Sequence, residues 1–363
     1  MRIQPANRHP VGSIGIVLSL LLLAMLLCTS GCTSVRLVSS PAPEQRIVWP
    51  PPPLEPRIEW VREIKSHRDL GVQPGFWQRL VGFIAGEQEE RFLRPYGIWA
   101  SSGKRFVLVD SGAAKVHLVD LEKGRYLPLP EAGTVKLLSP IGVTEDDREN
   151  LYVTDSGTGQ LFRYSLADGT LAPFVTYRFK RPSGVAFNPV NRLLYVVETA
   201  AHQVVAIDSR GMERFRFGSR GSGAGQFNFP TDLAIDRSGR VIVTDSLNGR
   251  IQIFAADGTA AGGFGEPGDT AGRFARPKGV ALDSEGHIYV CDSQQDLVQI
   301  FDDNGRLLLA FGENGSEPGQ FWMPSGIFID NDTIYVADTY NQRVQVFRYL
   351  KGEPGSRDPH AQD

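Results

Sequence analysis

The chain has 363 residues, of which 38 are basic and 41 acidic, so the formal net charge is −3. This balance argues against a general nucleic-acid-binding role, which would need a strongly basic stripe. The hydrophobic content of 41% is ordinary for a globular chain, and three cysteines are too few for a disulfide-based scaffold.

The first 31 residues have the pattern of a secretory signal peptide. Arg2 and Arg8 precede an apolar run over residues 11–27, and small residues follow before a cleavage point. Removal of residues 1–31 would take away these two arginines and lower the net charge from −3 to −5. The sequence therefore predicts export.

The end of this segment resembles the lipobox of bacterial lipoproteins. Ser30 and Gly31 stand directly before Cys32, although residues 28 and 29 depart from the Leu-rich pattern that is common there. The resemblance implies lipidation of Cys32, and Thr33 in place of an aspartate implies sorting to the periplasmic face of the outer membrane. The alternative is that residues 11–27 remain as an uncleaved membrane anchor.

Three further segments precede the main body of the chain. Residues 32–56 are predicted to be the lipidated cysteine and a Pro-rich linker, extended over residues 39–56. Residues 57–64 alternate polar and apolar side chains, which predicts a strand. Residues 76–84 fit a short amphipathic helix that would dock on a partner, on the membrane surface, or across one end of the folded domain.

The main body, residues 92–349, repeats one phrase six times. Each copy has an aromatic residue or leucine, then a proline three residues later, then a short strand that ends in an acid. The prolines are Pro95, Pro140, Pro182, Pro230, Pro277 and Pro324, and the acids are Asp110, Asp155, Glu198, Asp245, Asp292 and Asp338. A fixed period of this size is typical of propellers and other repeat architectures.

Each repeat contains short runs of aliphatic residues separated by Asp-Gly, Ser-Gly and Asn-Gly turn signals, which predicts four antiparallel strands, A to D. Six such units predict an all-β, six-bladed β-propeller over residues 57–349. The sixth copy ends after its C strand, at the polar tail 350–363, for which we expect disorder. We therefore predict that residues 57–64 pair with the sixth blade and close the ring, because an unpaired edge strand invites aggregation.

Residues 321–327 and 334–347 resemble the NHL repeat, and blade four resembles it almost as closely. The resemblance covers residues 92–349 and implies a single propeller of six blades. It does not imply one function. NHL propellers serve as RNA-binding modules, protein-interaction platforms, sensor domains and, in amidating lyases, metal enzymes, and a fold licenses no activity by itself.

The histidines, the repeated acids and Cys291 are candidates for chemistry. A lyase-type metal site needs converging histidines, but His202 and His287 fall in loops at opposite ends of a propeller, so we expect surface histidines and no metal site or cofactor. The repeated acids are better explained as turn-closing groups, and Cys291 as a buried core thiol. In blades four and six, arginines five residues after the acid are placed to pair with it.

The departures from the repeat predict the ligand site. Five copies have glycine two residues after the proline, where blade four has Asp232, and such local violations cluster at functional sites. Arg94, Arg181 and Arg276 stand directly before prolines of alternate blades, with Lys278 beside the last. These residues would present an anion-binding site at the mouth of the central channel. The alternative is that the arginines are solvated loop residues.

The favoured function is an exported, lipid-anchored, non-catalytic binding or scaffolding module for another envelope protein, a small anionic ligand or a glycan. No nucleic-acid partner is expected. The alternative is a propeller enzyme, a lyase or hydrolase, with its site at the channel mouth.

Overall fold

The structure, a computed structural model, describes residues 46–72, 91–131 and 135–351. These residues form six antiparallel sheets, five of four strands and one of five. Neighbouring inner strands contact one another around a closed ring, and the first and last blades meet through their inner strands. The prediction of an all-β, six-bladed propeller is confirmed.

The first three blades follow the chain from inner to outer strand. Blade one consists of β3 (Pro95–Ser101), β4 (Arg105–Asp110), β5 (Lys115–Asp120) and β6 (Arg125–Leu129). Blade two consists of β7 (Pro140–Glu145), β8 (Asn150–Asp155), β9 (Gln160–Ser165) and β10 (Thr170–Pro173). Blade three consists of β11 (Pro182–Asn188), β12 (Leu193–Glu198), β13 (Gln203–Ile207) and β14 (Glu213–Phe217).

The other three blades keep the same order. Blade four consists of β15 (Pro230–Ile235), β16 (Val241–Asp245), β17 (Arg250–Phe254) and β18 (Ala260–Phe264). Blade five consists of β19 (Pro277–Leu282), β20 (Ile288–Asp292), β21 (Leu297–Phe301) and β22 (Leu307–Phe311). Blade six contains β23 (Pro324–Asp330), β24 (Thr333–Asp338) and β25 (Arg343–Tyr349), and then β2 (Ile58–Ile64) and β1 (Val48–Trp49) from the start of the described chain.

The sixth blade is closed by β2, as predicted. This strand pairs antiparallel with β25, from Ile58 opposite Tyr349 to Ile64 opposite Val344, with one irregularity after Trp60. The side chains of Ile58 and Ile64 are fully buried, and the Trp60 indole Nε1 donates to the side-chain oxygen of Gln345 at 2.9 Å. The ring is thus held together by strands from both ends of the described chain.

The Pro-rich segment reaches further onto the propeller than the sequence indicates. Val48 and Trp49, which lie in the predicted extended linker, form β1, which pairs with β2 and adds a fifth strand to blade six. The Trp49 ring lies 5.7 Å from the Phe311 ring and 5.9 Å from the Phe347 ring. The sequence did not predict this strand, because only two residues form ladder pairs and the surrounding segment is rich in proline.

The repeated phrase has a structural explanation. The apolar residue that opens each copy is buried between blades, in the set Phe92, Leu137, Phe179, Phe227, Phe274 and Phe321. The acid at the end of strand B accepts hydrogen bonds from backbone amides of the preceding loop. Asp110, for example, accepts from the Leu93 and Arg94 amides at 2.6 and 2.9 Å. The acids are therefore turn-closing groups, as predicted.

Two of these acids also hold an arginine. Asp245 contacts Arg250 at 2.8 Å, and Asp338 contacts Arg343 at 2.7 Å. Arg343 is 3% exposed and also donates to Glu63 of β2 at 2.9 Å. The closing strand therefore completes a buried ionic cluster as well as a sheet.

Several predictions fall outside the described residues, namely the signal peptide 1–31, Cys32, the helix 76–84 and most of the tail. The tail begins in contact with the propeller, since the Leu350 amide donates to the Arg57 carbonyl at 2.7 Å. Among the residues that the structure describes, no helix has the length and apolar character needed to cross a membrane.

Candidate ligand-binding site at the channel mouth

The inner strands approach one another so closely at one level that a side chain is excluded. A Cβ atom on Gly97 would lie 2.3 Å from the Ile141 carbonyl oxygen, and one on Gly279 would lie 2.4 Å from the Ser325 carbonyl oxygen. Glycine is required there because the neighbouring backbone occupies the space of a side chain. Asp232 is the exception among the six blades.

The Asp232 carboxyl group lies between the inner strands of blades three and five. One carboxylate oxygen accepts a hydrogen bond from the Val280 amide at 3.3 Å, and the other lies 2.4 Å from where a Cβ atom on Gly184 would stand. Burial raises the pKa of Asp232 to about 7, partly offset by the Leu233 and Val280 amides. A carboxyl group that changes charge near neutral pH therefore lies in the throat of the channel.

Tyr96 extends into the same region from blade one. Burial raises the pKa of the Tyr96 phenol well above its ordinary value; the Asp232 charge raises it further, and the Arg181 charge acts in the opposite direction. Tyr96 and Asp232 both line a cavity of about 260 Å³ along the channel. Groups from blades one, three and four thus share one electrostatic environment.

Three cations converge above this carboxyl group. Burial, and then the charges of Arg276 and Arg181, lower the pKa of Lys278 to about 8. Within residues 46–72, 91–131 and 135–351, none of these three side chains makes a hydrogen bond or an ion pair. Like charges that repel one another and have no counter-ion in the described structure are a candidate site for an anion.

Arg94 is separated from this group. Its guanidinium lies over the ring of Tyr340, with Cζ 5.9 Å from the ring centroid, at the junction of blades six and one. Four of the five predicted site residues, Arg181, Asp232, Arg276 and Lys278, are therefore grouped at the mouth, whereas Arg94 takes part in a cation–π contact on the rim.

The expectation of surface histidines is wrong for two residues. His117 is 1% exposed and its Nδ1 lies 2.7 Å from the Tyr126 hydroxyl. His202 is 7% exposed and its Nδ1 accepts from the Phe229 amide at 3.1 Å, so it closes a loop as the acids do in other blades. His287 contacts Asp283 at 2.8 Å. No cluster of metal-ligating side chains occurs within the described ranges.

Cys291 is completely buried and burial raises the pKa of its thiol, as suits a core residue. The sequence reasoning missed Tyr96. The residues that follow the six prolines are Tyr96, Ile141, Ser183, Thr231, Lys278 and Ser325. Tyr96 and Lys278 are the two largest side chains of that set, so comparison of the repeats at this position would have identified both.

Comparisons with known proteins agree with this architecture. The NHL repeat model matches residues 227–254, 274–301 and 321–347. A segment of 79 residues is 38% identical to Protein brain tumor of Drosophila melanogaster, covering 21% of this chain and 8% of that protein. The chain therefore spans a small part of the curated relative that it matches.

Solved structures share the fold at low identity. Virginiamycin B lyase from Staphylococcus aureus matches 71% of this chain and 96% of its own, with a TM-score of 0.54 and 15% identity. An auxiliary nutrient binding protein from Bacteroides thetaiotaomicron matches 72% of this chain and 70% of its own, with a TM-score of 0.58 and 15% identity. The chain is a six-bladed β-propeller with NHL repeats in blades four, five and six.

Proposed function

We propose that this protein is an exported, lipid-anchored binding module whose channel mouth captures an anionic group of a protein, glycan or small molecule. The observation that carries the proposal is the cluster of Arg181, Arg276 and Lys278, which have no ion-pair partner among the described residues. A bound carboxylate or phosphate would relieve their mutual repulsion, and the partly buried position of Lys278 would strengthen its attraction to that residue.

The position of the cluster supports a binding role. Lys278 is recessed beside the inner strands, whereas Arg181 and Arg276 are exposed on the loops above it. A narrow anionic group could therefore reach the lysine while two guanidinium groups contact it from the sides. The likeness to an auxiliary nutrient binding protein is consistent with binding but, at 15% identity, supports only the fold.

The enzyme alternative rests on Asp232. A carboxyl group with a pKa of about 7 beside a phenol has the properties of a general acid or base. Solved propellers of similar fold include a lyase. The Asp232 carboxyl group is held by its hydrogen bond to the Val280 amide and by the neighbouring inner strands, which limits its access to a substrate. A binding site is therefore better supported than an active site.

A charge-removal variant tests the binding site. Arg181→Gln, Arg276→Gln and Lys278→Met together are expected to weaken the binding of a citrate probe at least tenfold and to flatten its salt dependence. The matched control removes three cations from the turns at the opposite end of the propeller, Lys104→Gln, Arg148→Gln and Arg237→Gln. Titration calorimetry at several salt concentrations measures both.

Equal loss in the two variants, or no loss in either, would show that the anion site is not at this mouth.

Asp232→Asn separates binding from catalysis. For a binding site this variant should retain the anion, since the amide removes a like charge near the ligand. If the protein is an enzyme that uses Asp232, the variant should also retain the anion, but the turnover that the wild type shows in a screen of lactone and ester substrates should be lost.

The anchor is tested at Cys32. If Ser30-Gly31-Cys32 is the lipidation site, Cys32→Ser should abolish palmitate incorporation and move the protein from the membrane to the soluble fraction. Cys291→Ser is the matched control, because that thiol is buried in the core. Fatty-acid labelling that persists in Cys32→Ser would assign the modification elsewhere.

A further inference from the structure

The face of the propeller that carries the cations also carries an apolar patch. Trp322, Met323 and Tyr340 of blade six are 51%, 38% and 44% exposed, and Leu93 and Leu138 of blades one and two are 48% and 49% exposed. We call these five residues the apolar rim. All lie in the loops before β3, β7 and β23 or after β24, which open at the same end as the cation-bearing loops.

The aromatic part of the apolar rim is held together by direct contacts. The Trp322 and Tyr340 rings are 5.5 Å apart, and the Tyr340 amide donates to the Trp322 carbonyl at 3.2 Å. Arg94 lies over the same Tyr340 ring and extends the surface toward Leu93. Leu138 occupies the equivalent position to Leu93 in the next blade.

The two halves of this face differ in chemistry. Blades six, one and two present the apolar rim, whereas Arg181 of blade three and Arg276 and Lys278 of blade five lie around the channel mouth. Between them, blade four exposes one further apolar side chain on this face, Leu247. Exposed aromatic and aliphatic side chains in one contiguous patch mark an interaction surface on soluble proteins. Aromatic and arginine anchors are also the residues that dominate binding energy at protein interfaces.

We propose that this face binds a polypeptide segment in which an acidic residue or a C-terminal carboxylate lies close to large apolar side chains. The carboxylate enters the cationic mouth and the apolar residues cover the apolar rim. This inference rests on the proposed anion site and adds the class of partner. A peptide supplies both groups on one flexible chain, which matches the charge and apolar halves of the face.

The recessed position of Lys278 favours a peptide over a lipid surface. Exposed tryptophan, leucine and arginine side chains are also features of proteins that dock on membranes. A bilayer presents its phosphates in a plane, however, and would leave a lysine that lies beside the inner strands without a partner. An acidic side chain projecting from a peptide reaches such a site.

The test is a selection of random 12-residue peptides displayed on phage against the full chain with Cys32→Ser. Enriched peptides are expected to place Asp, Glu or a free C-terminal carboxylate within a few residues of Leu, Ile, Phe or Trp. Their synthetic versions should lose at least tenfold in affinity with Trp322→Ser plus Leu138→Ser. The matched control, Val190→Ser plus Met212→Ser, removes exposed apolar residues from the opposite face and should bind normally.

The variants separate this inference from the proposed function. Citrate binding should be unchanged in Trp322→Ser plus Leu138→Ser and lost in the variant without the three cations. Enriched peptides that are acidic but not apolar, and that bind the rim variant normally, would overturn the peptide proposal and leave the anion site intact.

Two other binding partners for this face, a membrane and a second copy of the chain, would give different experimental results. If the full chain with Cys32→Ser sediments with phosphatidylglycerol vesicles and Trp322→Ser releases it while no peptide is enriched, the face is a membrane-docking surface and the proposal is wrong. A concentration-dependent dimer that Trp322→Ser dissociates, again without peptide enrichment, would assign the rim to a second copy of this chain and would equally overturn it.

Discussion

Deletion of residues 57–64 is expected to destroy the cooperative unfolding transition of the propeller and to cause aggregation. The deletion removes β2 and exposes the whole edge of β25, which then presents unpaired backbone amides and carbonyls. Ile58 and Ile64 are fully buried, and burial of each contributes about 1.5–3 kcal/mol. The combined loss is a large part of the about 5–15 kcal/mol that stabilises a typical domain.

An electrostatic effect adds to this loss. Without Glu63, the buried Arg343 guanidinium keeps only Asp338 as a carboxylate partner. Loss of this charge-assisted hydrogen bond costs about 1.5–3 kcal/mol. Thermal melting by circular dichroism and size-exclusion chromatography measure the outcome.

Point substitutions give a graded version of the same experiment. Ile58→Ala and Ile64→Ala should each cost about 2–5 kcal/mol because each leaves a cavity in the core. Val61→Ala is the matched control on the solvent side of the same strand, where the side chain is 37% exposed, and should have little effect. A deletion variant that melts like the wild type and stays monomeric would contradict the closure.

Replacement of Lys278 by methionine is expected to stabilise the protein at pH 7 by about 2–3 kcal/mol. The native state holds this ammonium in a partly buried site beside Arg181 and Arg276, which lowers its pKa from 10.5 to about 8. Methionine fills a similar volume without the charge. The stability gain should be accompanied by a loss of anion binding, since the same partly buried ammonium group destabilises the fold and attracts the anion.

The pH dependence gives the sign of the effect. Between about pH 8 and 10.5 the native state has released the Lys278 proton while the unfolded chain still holds it, so wild-type stability rises with pH in this window. The advantage of Lys278→Met is therefore complete below pH 8 and fades as the pH approaches 10.5. Urea titrations at pH 7, 9 and 10.5 check this trend.

Lys180→Met is the control, because Lys180 is exposed on a loop of the same face. Its effect should stay within about 0.5 kcal/mol at every pH. If both lysine variants respond alike, or if the gain from Lys278→Met is independent of pH, burial and the neighbouring arginines do not lower the pKa of Lys278. Addition of a tightly bound anion should also remove the difference between wild type and Lys278→Met.

The order of the strands and the closure of the ring could be read from the sequence because each is a local signal repeated six times. The same signals recur at nearly constant spacing, namely the turn residues, the Pro-x-Gly start of the inner strand and the terminal acid. A strand that is indistinct in one copy can therefore be assigned from the other copies. The strand β1 was not predicted, because it has only two residues, lies among prolines and is not part of the repeat.

Part of the candidate site could be predicted because the repeats can be compared position by position. Asp232 and Lys278 are visible as departures from the repeat, and the fold places equivalent positions on one face. Position in the repeat did not predict the direction of a side chain. Arg94 and Arg181 occupy equivalent sites, yet Arg94 packs over Tyr340 of the neighbouring blade while Arg181 remains near Lys278. Which neighbour a long side chain meets depends on the residues of the adjacent blade.

By itself the sequence determined the number of blades, the closing strand and the structural role of the repeated acids, because these depend on backbone hydrogen bonds and on periodic burial. Only the tertiary structure determined which side chains of different blades lie close together. Burial of His117 and His202, the approach of Tyr96 to Asp232 and the grouping of the apolar rim all join residues that are far apart in the chain. Such contacts depend on the distances between neighbouring blades, which a single repeat does not specify.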